Sequence, residues 1–153
     1  MRCLTPTLLL DEISEMPLNL QAKLLKTIQD KAIRRIGGTK QISVDFRLIT
    51  ASNRDLAALV DEGKFREDLF YRLNVVNITV PPLKDRKEDI LPLCDYFLDK
   101  INKKYGINKE LTPKARETLM NYSWPGNVRE LSNVLEMAAV ASIGKNITED
   151  LYF

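Results

Sequence analysis

The run Leu8-Leu9-Leu10 stops abruptly at two adjacent carboxylates, Asp11 and Glu12, and this junction constrains the chain more than any other segment. A continuous apolar run ending in polar residues suits a strand of a parallel sheet covered on both faces. Set at the C-terminal end of such a strand, an Asp-Glu pair can hold magnesium and polarise a water beside a phosphoryl group. The same pair can also do no more than cap a following helix. Taken alone, the pair leaves both readings open.

The pattern downstream continues as α/β. Residues 17–29 predict a helix with Leu20, Leu24 and Ile28 on one face. Residues 32–38 and 40–44 read as short extended pieces around a Gly37-Gly38 turn. Residues 46–51 predict a second core strand ending in Ser52-Asn53, and two short helices follow over 54–62 and 65–73, the first closed by Gly63. A third strand is expected over 75–80, stopped by Pro81-Pro82.

The character changes at that double proline, and from Glu88 onward only helices are expected. Ile90, Cys94, Phe97, Leu98, Ile101 and Tyr105 mark one amphipathic face. Thr112-Pro113 places an N-cap residue before a proline at the first helical position, opening a helix to Asn121. A last helix carries Val128, Leu131, Leu135 and Ala138 and ends by Gly144. The expected organisation is an α/β part over 1–82, a helical part over 83–147 and a tail over 148–153.

Composition removes several chemistries. The chain has no histidine, which excludes Ser-His and Cys-His nucleophiles and most catalytic zinc schemes. Cys3 and Cys94 form neither a metal spacing nor a disulfide framework, so a reducing cytoplasm is the expected location. A formal charge of +2 neither demands nor excludes nucleic acid. Residues 1–6 are too short and polar for a signal peptide, and no apolar run reaches membrane length.

Four segments in order narrow the reading: Leu10-Asp11-Glu12-Ile13, Arg34-Arg35-Ile36-Gly37-Gly38, Phe65-Arg66-Glu67-Asp68-Leu69-Phe70-Tyr71-Arg72-Leu73-Asn74, and Trp124-Pro125-Gly126-Asn127-Val128-Arg129-Glu130-Leu131. Together they closely resemble the central AAA+ ATPase domain of sigma-54-dependent bacterial transcriptional activators. The resemblance implies part of a P-loop NTPase parallel sheet followed by an all-helical lid, with ATP and Mg2+ as ligands. It also implies sigma-54 RNA polymerase holoenzyme as partner of the intact family, and self-association or intact paralogues in a ring.

Under that resemblance Asp11 is the Walker B acid that holds magnesium, and Glu12 the base that polarises the attacking water. Asn53 matches the sensor I residue, although an Asx turn closing its strand is an equal use of asparagine. Arg66 and Arg72 match two arginines that the family inserts into a neighbouring subunit's site. Read singly, each is a solvated charge, and Arg72 has Asp68 at helical spacing. Arg129 matches sensor II of the lid, with Glu130 as its bland alternative partner. Arg34 and Arg35 receive no catalytic role.

The chain departs from the family in the part that should lead up to Asp11-Glu12. No Gly-x-x-x-x-Gly-Lys-Ser/Thr occurs, and Leu4-Thr5-Pro6-Thr7 stands where the family has a glycine-rich approach to Walker B. The expectation is therefore a fragment, inactive alone, whose orphaned strands make the α/β part less stable than the lid. A non-enzymatic subunit that modulates intact rings is the alternative. A small DNA-binding protein built on residues 113–142 is the third reading; in the resemblance, DNA is met only through a domain missing here.

Overall fold

The computed structural model describes residues 6–149 and residue 151. Cys3 and the Leu4-Thr5 departure lie outside the described residues, as does most of the tail after Glu149. The chain divides into two compact units, 1–78 and 79–153.

In the first unit β1 (Thr7–Leu10) passes through a single 3-10 turn into α1 (Leu18–Asp30). A hairpin of β2 (Ala32–Arg34) and β3 (Gln41–Ser43) leads to β4 (Arg47–Thr50), and α2 (Leu56–Asp61) and α3 (Glu67–Leu73) follow. Strands β1 and β4 pair in parallel, Leu8 opposite Leu48 and Leu10 opposite Thr50. Parallel neighbours need a long crossover, and α1 with the hairpin supplies it. Ile13, Leu25, Leu59, Phe65 and Leu69 form the core of this unit.

Three expectations change here. The strands exist but are not buried: Leu9 is 60% exposed, and Leu8 and Ile49 are 41% exposed. Burial of a strand depends on what covers it, and a sheet of two strands offers little cover. Residues 75–80 form no strand, and Val75, Val76, Ile78 and Val80 all stand exposed. An extended segment without a partner backbone has nowhere to place its ladder hydrogen bonds. On α1 the inward face is Gln21, Leu24, Leu25 and Ile28, while Leu20 is exposed. A polar residue holds the centre of that face.

Thermolysin, which cuts before large apolar residues, is expected to nick the native chain first within 75–80. A first cut inside any helix, read by mass spectrometry, would show that this stretch is held.

The second unit contains α4 (Ile90–Tyr105), β5 (Glu110–Leu111), α5 (Pro113–Asn121), α6 (Asn127–Ala141) and β6 (Asn146–Ile147). The two-residue parallel pairing of β5 with β6 adds a strand contact to what the sequence presents as helices only. Lys109 ties the chain beside that contact to the end of α6. Its Nζ donates to the carbonyls of Ser142 and Gly144 at 2.6 Å each, satisfying acceptors just past the end of α6 where a cation is favoured. Thr112 caps α5 as expected, its hydroxyl accepting from the Ala115 N–H at 3.2 Å.

Among the described residues fifteen buried apolar side chains make up this core, against five in the first unit, so most of their hydrophobic stabilisation lies here. Cys94 is fully enclosed. Burial, with Asp95 adding to it, pushes its thiol up to about 12, which leaves it protonated and inert. No helix among the described residues is long and apolar enough to cross a membrane.

Candidate functional site

Strand register decides what stands at the sheet's C-terminal edge. Because Leu10 lies opposite Thr50, Asp11-Glu12 and the Ser52-Asn53 turn leave neighbouring strands on the same side, where ligands of open α/β sheets collect. The junction is tied across both strands. The Ala51 N–H donates to the Leu10 carbonyl and the Ile13 N–H to the Ala51 carbonyl, each at 2.9 Å.

Glu12 sits in the left-handed region at φ +50°, a conformation that costs a non-glycine residue about 1–2 kcal/mol. The turn it makes drops Ile13 into the core at 1% exposure, and burying such a side chain returns about 1.5–3 kcal/mol. The strain is therefore held by packing, and both carboxylates remain at the surface. Asp11 Oδ1 accepts from the Glu12 N–H at 3.0 Å. Neither carboxylate forms an ion pair among the described residues.

Asn53 is exposed three residues beyond β4. The turn there is closed by Ser52, whose Oγ accepts from the Arg54 N–H at 3.0 Å and donates to the Arg54 carbonyl at 2.7 Å. Asp55 caps α2 by accepting from the Ala57 N–H at 2.9 Å. With turn and cap made by its neighbours, the Asn53 amide is not needed for either.

Arg66 is the N-cap residue of α3. Its guanidinium grips Asp68 with two bonds, Nε to Oδ1 at 3.0 Å and Nη2 to Oδ2 at 2.7 Å. The hydrogen bond from Arg66 holds the Asp68 carboxyl below its usual range. This replaces the Arg72–Asp68 pair suggested by helical spacing. Arg72, in the last turn of α3, is exposed and makes no ion pair with a described residue. Phe65 and Leu69, at 2% and 0% exposure, pin the segment on either side of Arg66.

Gln21 is what sequence reasoning missed. It is fully buried and bonds the Met16 carbonyl at 2.8 Å, the Lys64 carbonyl at 3.1 Å and the Arg66 N–H at 2.9 Å. Its one sequence signal is its spacing to Leu24, Leu25 and Ile28, which put it on the inward face.

In the second unit, Arg129 is exposed on the first turn of α6. Glu130 does not pair with it; it accepts from the Gly126 N–H at 2.8 Å and the Tyr122 hydroxyl at 3.3 Å. A Cβ on Gly126 would lie 2.8 Å from the Glu130 Cβ, so the turn entering α6 has room for glycine only. Asn127 Oδ1 accepts from the Leu83 N–H at 2.8 Å, which locks that turn to the chain entering the unit.

No group of three or more His, Cys, Asp or Glu among the described residues could cage a metal. The donors at the sheet edge are two free carboxylates. They fit magnesium, which keeps several waters and takes one or two carboxylates together with substrate phosphates.

Regulatory protein AtoC of Escherichia coli K12 is 55% identical over 147 residues, covering 95% of this chain and 32% of that protein. FlbD of Caulobacter vibrioides is 51% identical over 144 residues, 94% of this chain and 32% of its own length. NtrX from Brucella abortus superimposes with a TM-score of 0.91 at 39% identity, over 96% of this chain and 35% of NtrX. NtrX in complex with ATP superimposes at 0.87 with 40% identity, over 94% of this chain and 34% of NtrX. The chain thus spans about a third of the length of these relatives. Residues 84–151 match the AAA+ ATPase lid domain, which accounts for the helices over 113–142 without a DNA-binding motif. Residues 3–79 match the Sigma-54 interaction domain, and with the Asp-Glu edge, the arginine-bearing helix and the lid in that order the chain belongs to the sigma-54 interaction domain family of AAA+ proteins.

Proposed function

We propose that the chain carries the water-polarising, magnesium-holding and neighbour-facing half of an ATPase that serves sigma-54-dependent transcription. The observation that carries this is the β1–β4 register, which brings Asp11-Glu12 and Asn53 to one edge of one sheet. Asp11 would hold magnesium, and Glu12 would accept the proton of the attacking water. Asn53 orients that water or a phosphate oxygen without adding charge. Magnesium, when bound with ATP, neutralises charge on the phosphates. On the lid, Arg129 is the exposed cation that the resemblance assigns to nucleotide contact. These 153 residues contain no Gly-x-x-x-x-Gly-Lys-Ser/Thr sequence, so no phosphate cradle is assigned to them.

The test is a titration of the isotope-labelled chain with ATP followed by amide NMR. With magnesium present, the Asp11, Glu12 and Asn53 amides are expected to shift. In excess chelator, or in Asp11→Asn, those shifts should vanish. Shifts that ignore magnesium, or that fall only on the basic β2–β3 hairpin, would overturn this assignment.

The exposure of Arg66 and Arg72 favours a second role beside the first. Both arginines stand where they can reach another molecule, so the chain can act as a non-enzymatic subunit that completes the site of a nucleotide-holding relative. Association with sigma-54 polymerase belongs to that assembled state.

A further inference from the structure

We infer that Gln21 is a positioning residue for Arg66, fixing the backbone from which its guanidinium is presented. This rests on the reading of Arg66 as the arginine offered to a neighbouring site. Gln21 is wholly enclosed beside Leu25, Phe65 and Leu69, where an apolar side chain is the ordinary occupant. A buried amide is tolerated only when its hydrogen-bonding groups are met. Both donor hydrogens and one acceptor position are used.

Two of those bonds bracket a single residue. The Lys64 carbonyl and the Arg66 N–H lie on either side of Phe65, and both go to the same side chain. The third bond, to Met16, anchors Gln21 to the turn that follows the Asp-Glu edge. Residues 64–66 are thereby set from inside the protein, and water cannot compete for the N–H that opens α3. Only side-chain rotation is left to Arg66, and the grip on Asp68 takes up that freedom.

The full chain gives three readouts. In the wild type the Arg66 amide is expected to exchange with solvent as slowly as amides inside α3. Exchange at the rate of an exposed helix cap overturns the inference before any variant is made. Gln21→Met removes all three bonds at similar volume, and exchange at Arg66 should then quicken about tenfold, the effect of roughly one lost hydrogen bond. The Asp68 carboxyl should at the same time titrate closer to its ordinary range as the arginine loosens. Gln21→Glu keeps the oxygen that accepts from Arg66, so both signatures should survive even at a lower melting temperature.

A merely structural glutamine lowers the melting temperature in both variants and leaves the Asp68 titration unmoved in Gln21→Met, and that result sinks the inference. If the Met variant does not fold, wild-type exchange and Gln21→Glu decide. The role of Arg66 is read separately, as phosphate release by dilute NtrX with added chain. Loss of stimulation in Arg66→Ala but full stimulation by folded Gln21→Met would overturn the positioning role alone. No effect of Arg66→Ala would remove the reading of Arg66 and leave the backbone placement standing.

Discussion

Trp124→Ala is expected to lower the melting temperature of the helical unit by at least about 12 °C. Trp124 is 1% exposed, and its indole N–H donates to the Leu119 carbonyl at 2.9 Å, near the end of α5. Its ring meets Tyr122 edge-on at 5.0 Å. Truncating a buried tryptophan to alanine costs about 3–5 kcal/mol. Native domains hold only about 0.05–0.15 kcal/mol per residue in total. For a unit of this size the loss is a large share of its stability, and about 4–8 °C accompanies each kcal/mol. Circular dichroism is the suitable probe, since the substitution removes the chain's only tryptophan. Trp124→Phe should recover much of the loss, because it restores the ring but not the N–H. A Trp124→Ala variant melting within a few degrees of the wild type would mean that the turn into α6 is held by Gly126, Glu130 and Asn127 without it.

The same residue shows what a sequence can display. A helix start written in local chemistry is readable, and α5 begins at Pro113 behind Thr112 because the hydroxyl and the proline act on their own few bonds. A long amphipathic period is readable for most of its length: α4 buries Ile90, Cys94, Leu98 and Ile101, while Tyr105, expected on the same face, stands exposed in the last turn. Strand burial is different, because it depends on neighbours elsewhere in space. Leu8, Leu9 and Ile49 carry a buried-strand pattern yet stand exposed in a two-stranded sheet. Residues 75–80 carry strand propensity without a partner and form none.

Motif order singled out Asp11, Glu12, Asn53, Arg66, Arg72 and Arg129 as candidates, but the partners their side chains take depend on turns. Helical spacing pairs Arg72 with Asp68. The cap position of Arg66 lets it reach Asp68 from two residues away instead. Gln21 escaped because a polar residue among leucines reads as surface until its three backbone partners are seen together.

Arg66→Ala is expected to abolish the chain's action on a neighbouring nucleotide site, lowering stimulated hydrolysis on the order of 10³-fold. The probe is NtrX, a relative solved in complex with ATP, used at a concentration where its own phosphate release is low and mixed with excess chain and magnesium-ATP. The wild-type chain should raise phosphate release by supplying a guanidinium where charge develops on the transferred group. Asp68→Ala separates release from supply. The Arg66–Asp68 pair is exposed on both sides, with 44% and 45% of the side chains accessible, and water screens such pairs until they contribute little. Letting go of Asp68 is then a small barrier, and Asp68→Ala should change stimulation only slightly. Arg66→Lys keeps the charge and loses the planar fork that can meet two phosphate oxygens at once, so it should fall well below the wild type. Full stimulation by Arg66→Lys would mean that charge alone matters. No stimulation by the wild type at any excess would mean that Arg66 and Arg72 do not reach a neighbouring site.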